Sequence, residues 1–221
     1  MDRGNQAGSP LLNPRIDSLL QDLDAGAVSR LTAFVALLTK WNRRVNLVSS
    51  TESRILYPLL GEALWAAGMY PADSHSHLDI GSGAGFPAVP LAIVRPGTRF
   101  TLLEARSKRA AFLGTAAHEL NLGNVSVVCN RLDRYLQTMT SPGPWRRISW
   151  KGLKLERKEL SQLLRLSAEE ARLWVFHGTD LPMDRQQAQE MLSLRWREPC
   201  PHHAGWFLSE YGRRPVSRET T

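Results

Sequence analysis

Apolar positions along the chain change their spacing at about residue 76. Before it, Leu19, Leu20, Leu23, Val28, Leu31, Phe34, Val35, Leu38 and Trp41 recur at threes and fours. That period predicts two helices between Ile16 and Trp41, with a break near Asp24-Ala25-Gly26. Another helix is expected over about 52–68, interrupted at Pro58 and ended by Gly68 and Pro71. Residues 1–14, with Gly4, Gly8, Pro10 and Pro14, read as a loose lead-in.

From His77 onward the apolar residues come in short runs, many of them β-branched or aromatic. Strands are expected at 77–80, 100–104, 125–129, 146–150 and 171–178, with helices at 87–94, 105–122 and 155–166. "QEMLSLRWRE" (189–198) and "HAGWFLSEY" (203–211) predict a closing antiparallel pair, and a polar tail follows. Strands alternating with helices imply an α/β fold, a mostly parallel sheet with helices on both faces. The change of period divides the chain into an N-terminal helical extension, 1–70, and a ligand-binding domain, 71–221.

Composition narrows the class. No apolar run approaches the roughly 20 residues that span a bilayer, and the start lacks a signal peptide's apolar core. Two cysteines, Cys129 and Cys200, supply no zinc or disulfide framework, so a reducing cytoplasm is the expected location. The formal net charge is +7. The cations gather at Arg43-Arg44, Arg106/Lys108/Arg109, Arg131/Arg134, Arg146-Arg147, Lys151/Lys154/Arg157/Lys158 and Arg213-Arg214/Arg218, a distribution compatible with a nucleic-acid face.

The chemistry gathers around "HLDIGSGAGFPAVPLAI", residues 77–93. Gly81, Gly83 and Gly85 follow the first strand of the alternating region, where open α/β sheets bind ligands. Without Cβ atoms they allow a tight turn and close approach of a ligand. Glu104 ends the second strand about 20 residues later, where a carboxylate can accept hydrogen bonds from a ribose diol. Both NAD and S-adenosylmethionine carry such a ribose. The dinucleotide pattern G-x-G-x-x-G would place its third glycine at Phe86, which favours a ligand without a pyrophosphate. Phe86 itself suits cofactor contact or core packing equally. Asp133, after the third strand, suits an adenine amino group or a helix N-cap.

Four stretches carry a family resemblance: "WNRRVNLVSSTE" (41–52), "GEALWAAGM" (61–69), "LDIGSGAGFPAVPLAIVRPGTRFTLLEARSKRAAFL" (78–113) and "HELNLGNVSVV" (118–128). In them the chain resembles the RsmG (GidB) family of bacterial 16S ribosomal RNA methyltransferases, well over about residues 30–135 and more faintly to the C-terminus. The resemblance implies a class I methyltransferase (Rossmann-like) fold and S-adenosyl-L-methionine as methyl donor. It also implies methylation at N7 of a guanine in small-subunit rRNA. The expected partner is 16S rRNA or the small ribosomal subunit, with the protein a monomer that binds neither membrane nor metal. The family's cofactor loop matches Gly81, Ser82, Gly83, Gly85 and Phe86, and its ribose acid matches Glu104. Leu132 and Asp133 fall where the family frames the adenine, and Lys151, in "ISWKG", where it carries a basic residue, usually Arg. Two features depart from it. Pro58-Leu59 stand where an Arg-His pair is common, and Arg146 stands where an acid commonly opens the fourth strand.

Guanine N7 has an in-plane lone pair and no proton to lose, so alignment rather than a general base is the main requirement. Lys151 is the candidate for orienting RNA or the cofactor carboxylate, and Trp150 beside it is a candidate stacking surface. Trp41, Asn42 and Asn46 could flank the same site. Two other readings stay open: a cofactor-retaining RNA-binding protein without methyl transfer, and a methyltransferase on a non-RNA substrate. An NAD oxidoreductase fits least, since Phe86 blocks the dinucleotide pattern and no second domain follows.

Overall fold

The computed structural model describes residues 19–70, 76–141, 143–183 and 185–214. The lead-in, the expected first helix up to residue 18, Pro71 and the tail beyond residue 214 lie outside them. Helix α1 (Ala25–Asn42) starts where Asp24 accepts a hydrogen bond from the Ala27 amide at 2.9 Å, which is the expected break turned into an N-cap. Its buried stripe of Leu31, Phe34, Val35 and Leu38 follows the 3.6-residue period.

Helix α2 (Ser53–Gly68) runs through Pro58 without the expected interruption. The proline lies in the second turn, so only the Arg54 carbonyl loses its partner, and Arg54 is exposed to water.

Strand β1 (Ser76–Ile80), helix α3 (Ala88–Val94), β2 (Arg99–Glu104), α4 (Ser107–Glu119) and β3 (Val125–Cys129) follow the expected alternation. Then come α5 (Leu132–Gln137), β4 (Arg147–Lys151), α6 (Arg157–Arg165), β5 (Arg172–His177), α7 (Arg185–Met191), β6 (Leu192–Pro199) and β7 (Phe207–Arg213). Neither α5 nor α7 is marked by an apolar period; both are only about two turns long.

The seven strands are ordered β3-β2-β1-β4-β5-β7-β6. The first five are parallel, and β7 inserts antiparallel between β5 and β6. The direction of winding reverses between β1 and β4, so a crevice opens beyond their carboxyl ends.

Side chains of successive strand residues face opposite ways, and each face has its own core. Phe100, Leu102, Trp174 and Phe176 meet α1 through α4 on one face. Leu78, Ile80, Leu103, Ile148, Trp150 and Val175 meet α5 and α6 on the other. The N-terminal helices belong to the first core: Phe34 packs edge-on against Phe86 at 5.3 Å between ring centres, and Trp41 against Phe112 at 5.8 Å. Among the described residues no helix is long and apolar enough to cross a membrane.

Candidate active site

A cavity of about 420 Å³ opens beyond the carboxyl ends of β1 through β4. Its walls come from Ile80-Gly81, from Leu103 through Arg106 with Arg109, from Asn130 through Leu132, from Lys151 through Leu153, and from Glu159. It therefore lies at the point where the winding reverses.

The glycine loop forms one side. Gly81, Gly83 and Gly85 have φ of +71°, +54° and +87°, a region that side chains with a Cβ rarely enter. Gly81 lines the cavity. Gly85 faces the core instead, where a Cβ would come within 2.8 Å of Val89 Cγ2 and 3.3 Å of Phe34. Ser82 is buried and its hydroxyl donates to the Asp79 carbonyl at 3.1 Å, while Phe86 is covered by Phe34. Ser82, Gly85 and Phe86 thus stand behind the cavity wall rather than in it, whereas the half-buried Gly83 lies beside Arg109, which lines the cavity.

Where the loop's amides point distinguishes the two cofactor classes. The Gly81 and Ser82 amides donate to the Leu103 carbonyl, Gly85 to Ser82, and Gly83 to Glu104 at 2.8 Å. These four donors are spent inside the protein and are not turned toward a pyrophosphate. Glu104 is buried at 5% exposure, and its two oxygens each accept one backbone amide, from Gly83 and from Arg106, both at 2.8 Å. Each carboxylate oxygen can accept a second bond, and Glu104 lines the cavity. A rigid acceptor pair over a floor without side chains fits the ribose diol of a nucleoside cofactor without diphosphate, and S-adenosylmethionine is such a molecule.

At the far end, Leu132 is buried and lines the cavity, whereas Asp133 lies outside its lining and pairs with Arg131 at 3.2 Å. Arg106 and Arg109, of the cation group the sequence shows, also line the cavity, as do Asn130, Gly152 and Leu153, to which the sequence assigns no role. Gly152 had a visible signal: it directly follows β4 and takes φ +63°.

The other side is built from side-chain pairs. Glu62 of α2 is 1% exposed. It accepts from the Lys151 ammonium through one oxygen and pairs with His203 Nδ1 through the other, at 2.9 Å. The ammonium also sits 4.7 Å from the Trp206 ring, on which His203 stacks. Lys151 is therefore held by a carboxylate and an indole, at the edge of the cavity. The loop between β6 and β7 that carries His203 and Trp206 touches α2 closely; a Cβ on Gly61 would collide with His202.

Two sequence expectations need correction here. Trp150 is fully buried within the second core, so it presents no stacking surface; the aromatic side chain near Lys151 is Trp206. Arg147 is buried as well, paired with Glu210 at 2.9 Å and lying over Trp174 at 4.1 Å, which removes it from any nucleic-acid face. Asn42 caps the turn after α1, accepting from the Leu47 and Val48 amides at 2.9 and 3.0 Å.

Beneath the loop a polar chain crosses β1 and β4. The Tyr70 hydroxyl meets His77 Nδ1, His77 Nε2 lies 2.6 Å from Ser149 Oγ, and Ser149 donates to Asp79 at 2.5 Å. That sequence of donors places the histidine's proton on Nε2. Burial drives His77 well below its ordinary pKa, helped by Arg147. Burial likewise pushes the Asp79 carboxyl up to about 6, although Ser149 and Ser82 pull the other way.

The matching solved structures fit this geometry. Cofactor-bound Rv0187 from MTB superposes with a TM-score of 0.62 at 19% identity, covering 96% of this chain and all (100%) of that one. The mitomycin 7-O-methyltransferase MmcR gives 0.57 at 17% identity, covering 90% of this chain and 75% of its own. Both show the class I methyltransferase fold. In sequence, the ribosomal RNA small subunit methyltransferase G of Neisseria gonorrhoeae is 39% identical over 130 residues, 58% of each chain. That of Nitrosococcus oceani is 38% identical over 128 residues, 58% of this chain and 59% of that protein. The chain thus spans less than two thirds of the length of these curated relatives. The model of the GidB family, rRNA small subunit methyltransferase G, matches residues 27–143, which include the glycine loop, Glu104 and Leu132, and the chain belongs to that family.

Proposed function

We propose that the protein is an S-adenosylmethionine-dependent methyltransferase acting on N7 of a guanine in 16S rRNA, in the cytoplasm. The cavity beyond β1 through β4, with Glu104 aimed along a bare Gly81 floor, is the observation that carries the reading. When bound, the cofactor supplies a sulfonium methyl to which a nitrogen lone pair can bond as the carbon–sulfur bond breaks.

Each residue then has a physical task. Glu104 takes the ribose hydroxyls, Gly81 and Gly83 let the backbone approach, and Ser82, Gly85 and Phe86 hold the loop in shape from behind. Leu132 bears on the adenine, and Asp133 stands at the outer rim. Lys151 is a positioning group: held by Glu62 and Trp206, its charge stays at the cavity edge where the base or the cofactor carboxylate would lie. The helices before residue 71 act as an extension that brings Glu62 to the site. No general base is needed, because guanine N7 has no proton to give up. Orientation can supply up to about 7–11 kcal/mol of the barrier in ideal cases.

Tritium transfer from labelled S-adenosylmethionine into 16S rRNA and into small subunits tests the reading, with nuclease digestion to identify the base. Label in 7-methylguanine is expected. The pairing of Lys151 with Glu62, which neutralises the one basic group expected to act, favours a second reading, RNA binding without transfer. Cofactor binding with no label in either RNA would select it.

A further inference from the structure

Two further hollows adjoin the cofactor cavity, and cations line both. The nearer, of about 550 Å³, is bordered by Val45, Asn46 and residues 105–109, so it shares Ala105, Arg106 and Arg109 with the cofactor cavity. The next, of about 380 Å³, is bordered by Lys40, Trp41, Arg43, Arg44 and Val45, so it shares Val45 with the nearer one. The three hollows succeed one another from the mouth of the cavity, past the N-terminus of α4, to the C-terminal end of α1, each sharing lining residues with the next.

The path carries Arg106, Arg109, Lys108, Arg44, Arg43 and Lys40, and no carboxylate is among the described residues lining its two outer hollows. Among the described residues none of these six cations has a salt-bridge partner. Arg109 is fixed by donating to the Asn46 carbonyl at 2.8 Å, which ties α4 to the loop after α1 and holds the path in shape. The first turn of α4, a helix of 13 residues, contains no acid, so its positive end adds to the field. At the far end the half-buried Trp41 is steadied by Phe112 and lines the hollow. A cationic groove with an aromatic side chain along it has the two features that hold single-stranded nucleic acid: phosphate contacts and a stacking face.

We propose that this path is the track of the RNA strand flanking the methylated nucleotide, with phosphates against Arg43, Arg44, Lys108 and their neighbours and a base against Trp41. The proposal rests on the rRNA reading above for its substrate. It adds that the strand leaves the site past α4 and α1 rather than across α6 on the opposite face of the sheet.

The test uses the full chain, a labelled single-stranded RNA decamer and 16S rRNA. Arg43→Ala/Arg44→Ala and Lys108→Ala are compared with Lys158→Ala/Arg165→Ala, on the exposed side of α6. Each lost phosphate contact should make the dependence of log K on log salt shallower by about 0.7, hence about 1.4 for the double variant. The KM for 16S rRNA should rise about tenfold in the double variant, with kcat and S-adenosylmethionine affinity unchanged. Trp41→Phe should keep binding, whereas Trp41→Ala should weaken the decamer about fivefold or more. Unchanged slopes and KM in the Arg43/Arg44 and Lys108 variants, or equal losses in the α6 variant, overturn the track even if methyl transfer to rRNA is observed. Track-dependent decamer binding with no transfer by the wild type upholds the track and removes the proposed reaction instead.

Discussion

The two sides of the site are built from different materials. On the side of β1, β2 and β3 the floor is backbone: Gly81 at the cavity, Gly83 and Gly85 shaping its loop at positive φ, and one carboxylate that accepts two main-chain amides. On the side of β4 and the β6–β7 loop it is side chains, with Glu62, Lys151, His203 and Trp206 gripping one another. The first side lies within the residues that match the family model, while Lys151, His203 and Trp206 lie beyond its end at residue 143. A backbone floor constrains which residue types can stand there, because a Cβ is either strained or obstructed. A side-chain cluster can exchange its members in pairs, so substrate handling can change while the cofactor floor stays as it is.

If the sides are separable in this way, breaking the side-chain cluster should cost the most stability and little cofactor affinity. Glu62→Ala leaves the Lys151 ammonium and His203 facing each other without their shared carboxylate. A loss of about 3 kcal/mol is expected in urea unfolding, with S-adenosylmethionine affinity changed less than about threefold. An equal collapse of cofactor affinity would show the two sides to be one unit.

The glycine side can be divided the same way. Gly85→Ala puts a Cβ 2.8 Å from Val89 Cγ2 at a φ of +87°, so strain and overpacking add, for about 2–3 kcal/mol of lost stability. At Gly83, with φ +54° and nothing nearer than 3.6 Å, only backbone strain acts, and alanine should cost about 1 kcal/mol. Thermal unfolding of the two variants should therefore rank Gly85→Ala well below Gly83→Ala.

Asp79 and His77 lie at the seam, on β1 where it pairs with β4. With its carboxyl pushed up to about 6, Asp79 keeps a proton in the native state that the unfolded chain releases near pH 4. Its share of stability therefore falls as pH rises from about 4 to 6. His77, held neutral by burial, does the opposite, since the unfolded chain takes up a proton below about pH 6.5. The two slopes oppose each other, so in the wild type Asp79 offsets much of the rise with pH that His77, and in the same sense His177 and His202, would give between pH 4 and 6. In Asp79→Asn that offset is gone and only the histidine slopes remain. Stability should then climb with pH across that window more steeply than in the wild type, by up to about 1.4 kcal/mol per unit, in chemical denaturation.

The contrast between the two sides also explains what could be read from the residues alone. A backbone site is local: Gly81, Gly83, Gly85 and Glu104 announce themselves through residue type and spacing. The parallel strands were legible for the same reason, because burial on both faces demands short apolar runs such as "LDI" and "FTLLE". Contacts of Lys151 with Glu62, 89 residues apart, and of Glu62 with His203, 141 residues apart, leave no local pattern. Trp150 illustrates the cost. Next to a candidate basic residue it resembled a stacking platform, but the strand's alternation sends it into the second core while Lys151 reaches the crevice. Arg147 misleads similarly, since a cation in a strand is read as surface until Glu210 and Trp174 appear opposite it. Pro58 reads as a break because nothing in sequence shows that Arg54, whose carbonyl it orphans, is exposed to water.

The most direct measurement is calorimetric titration with S-adenosylmethionine and, separately, with NAD, on the wild type and on Glu104→Ala checked for native melting. The account predicts binding of S-adenosylmethionine alone, at least about tenfold weaker without the Glu104 carboxylate. Binding of NAD, or S-adenosylmethionine affinity indifferent to Glu104→Ala, would contradict it.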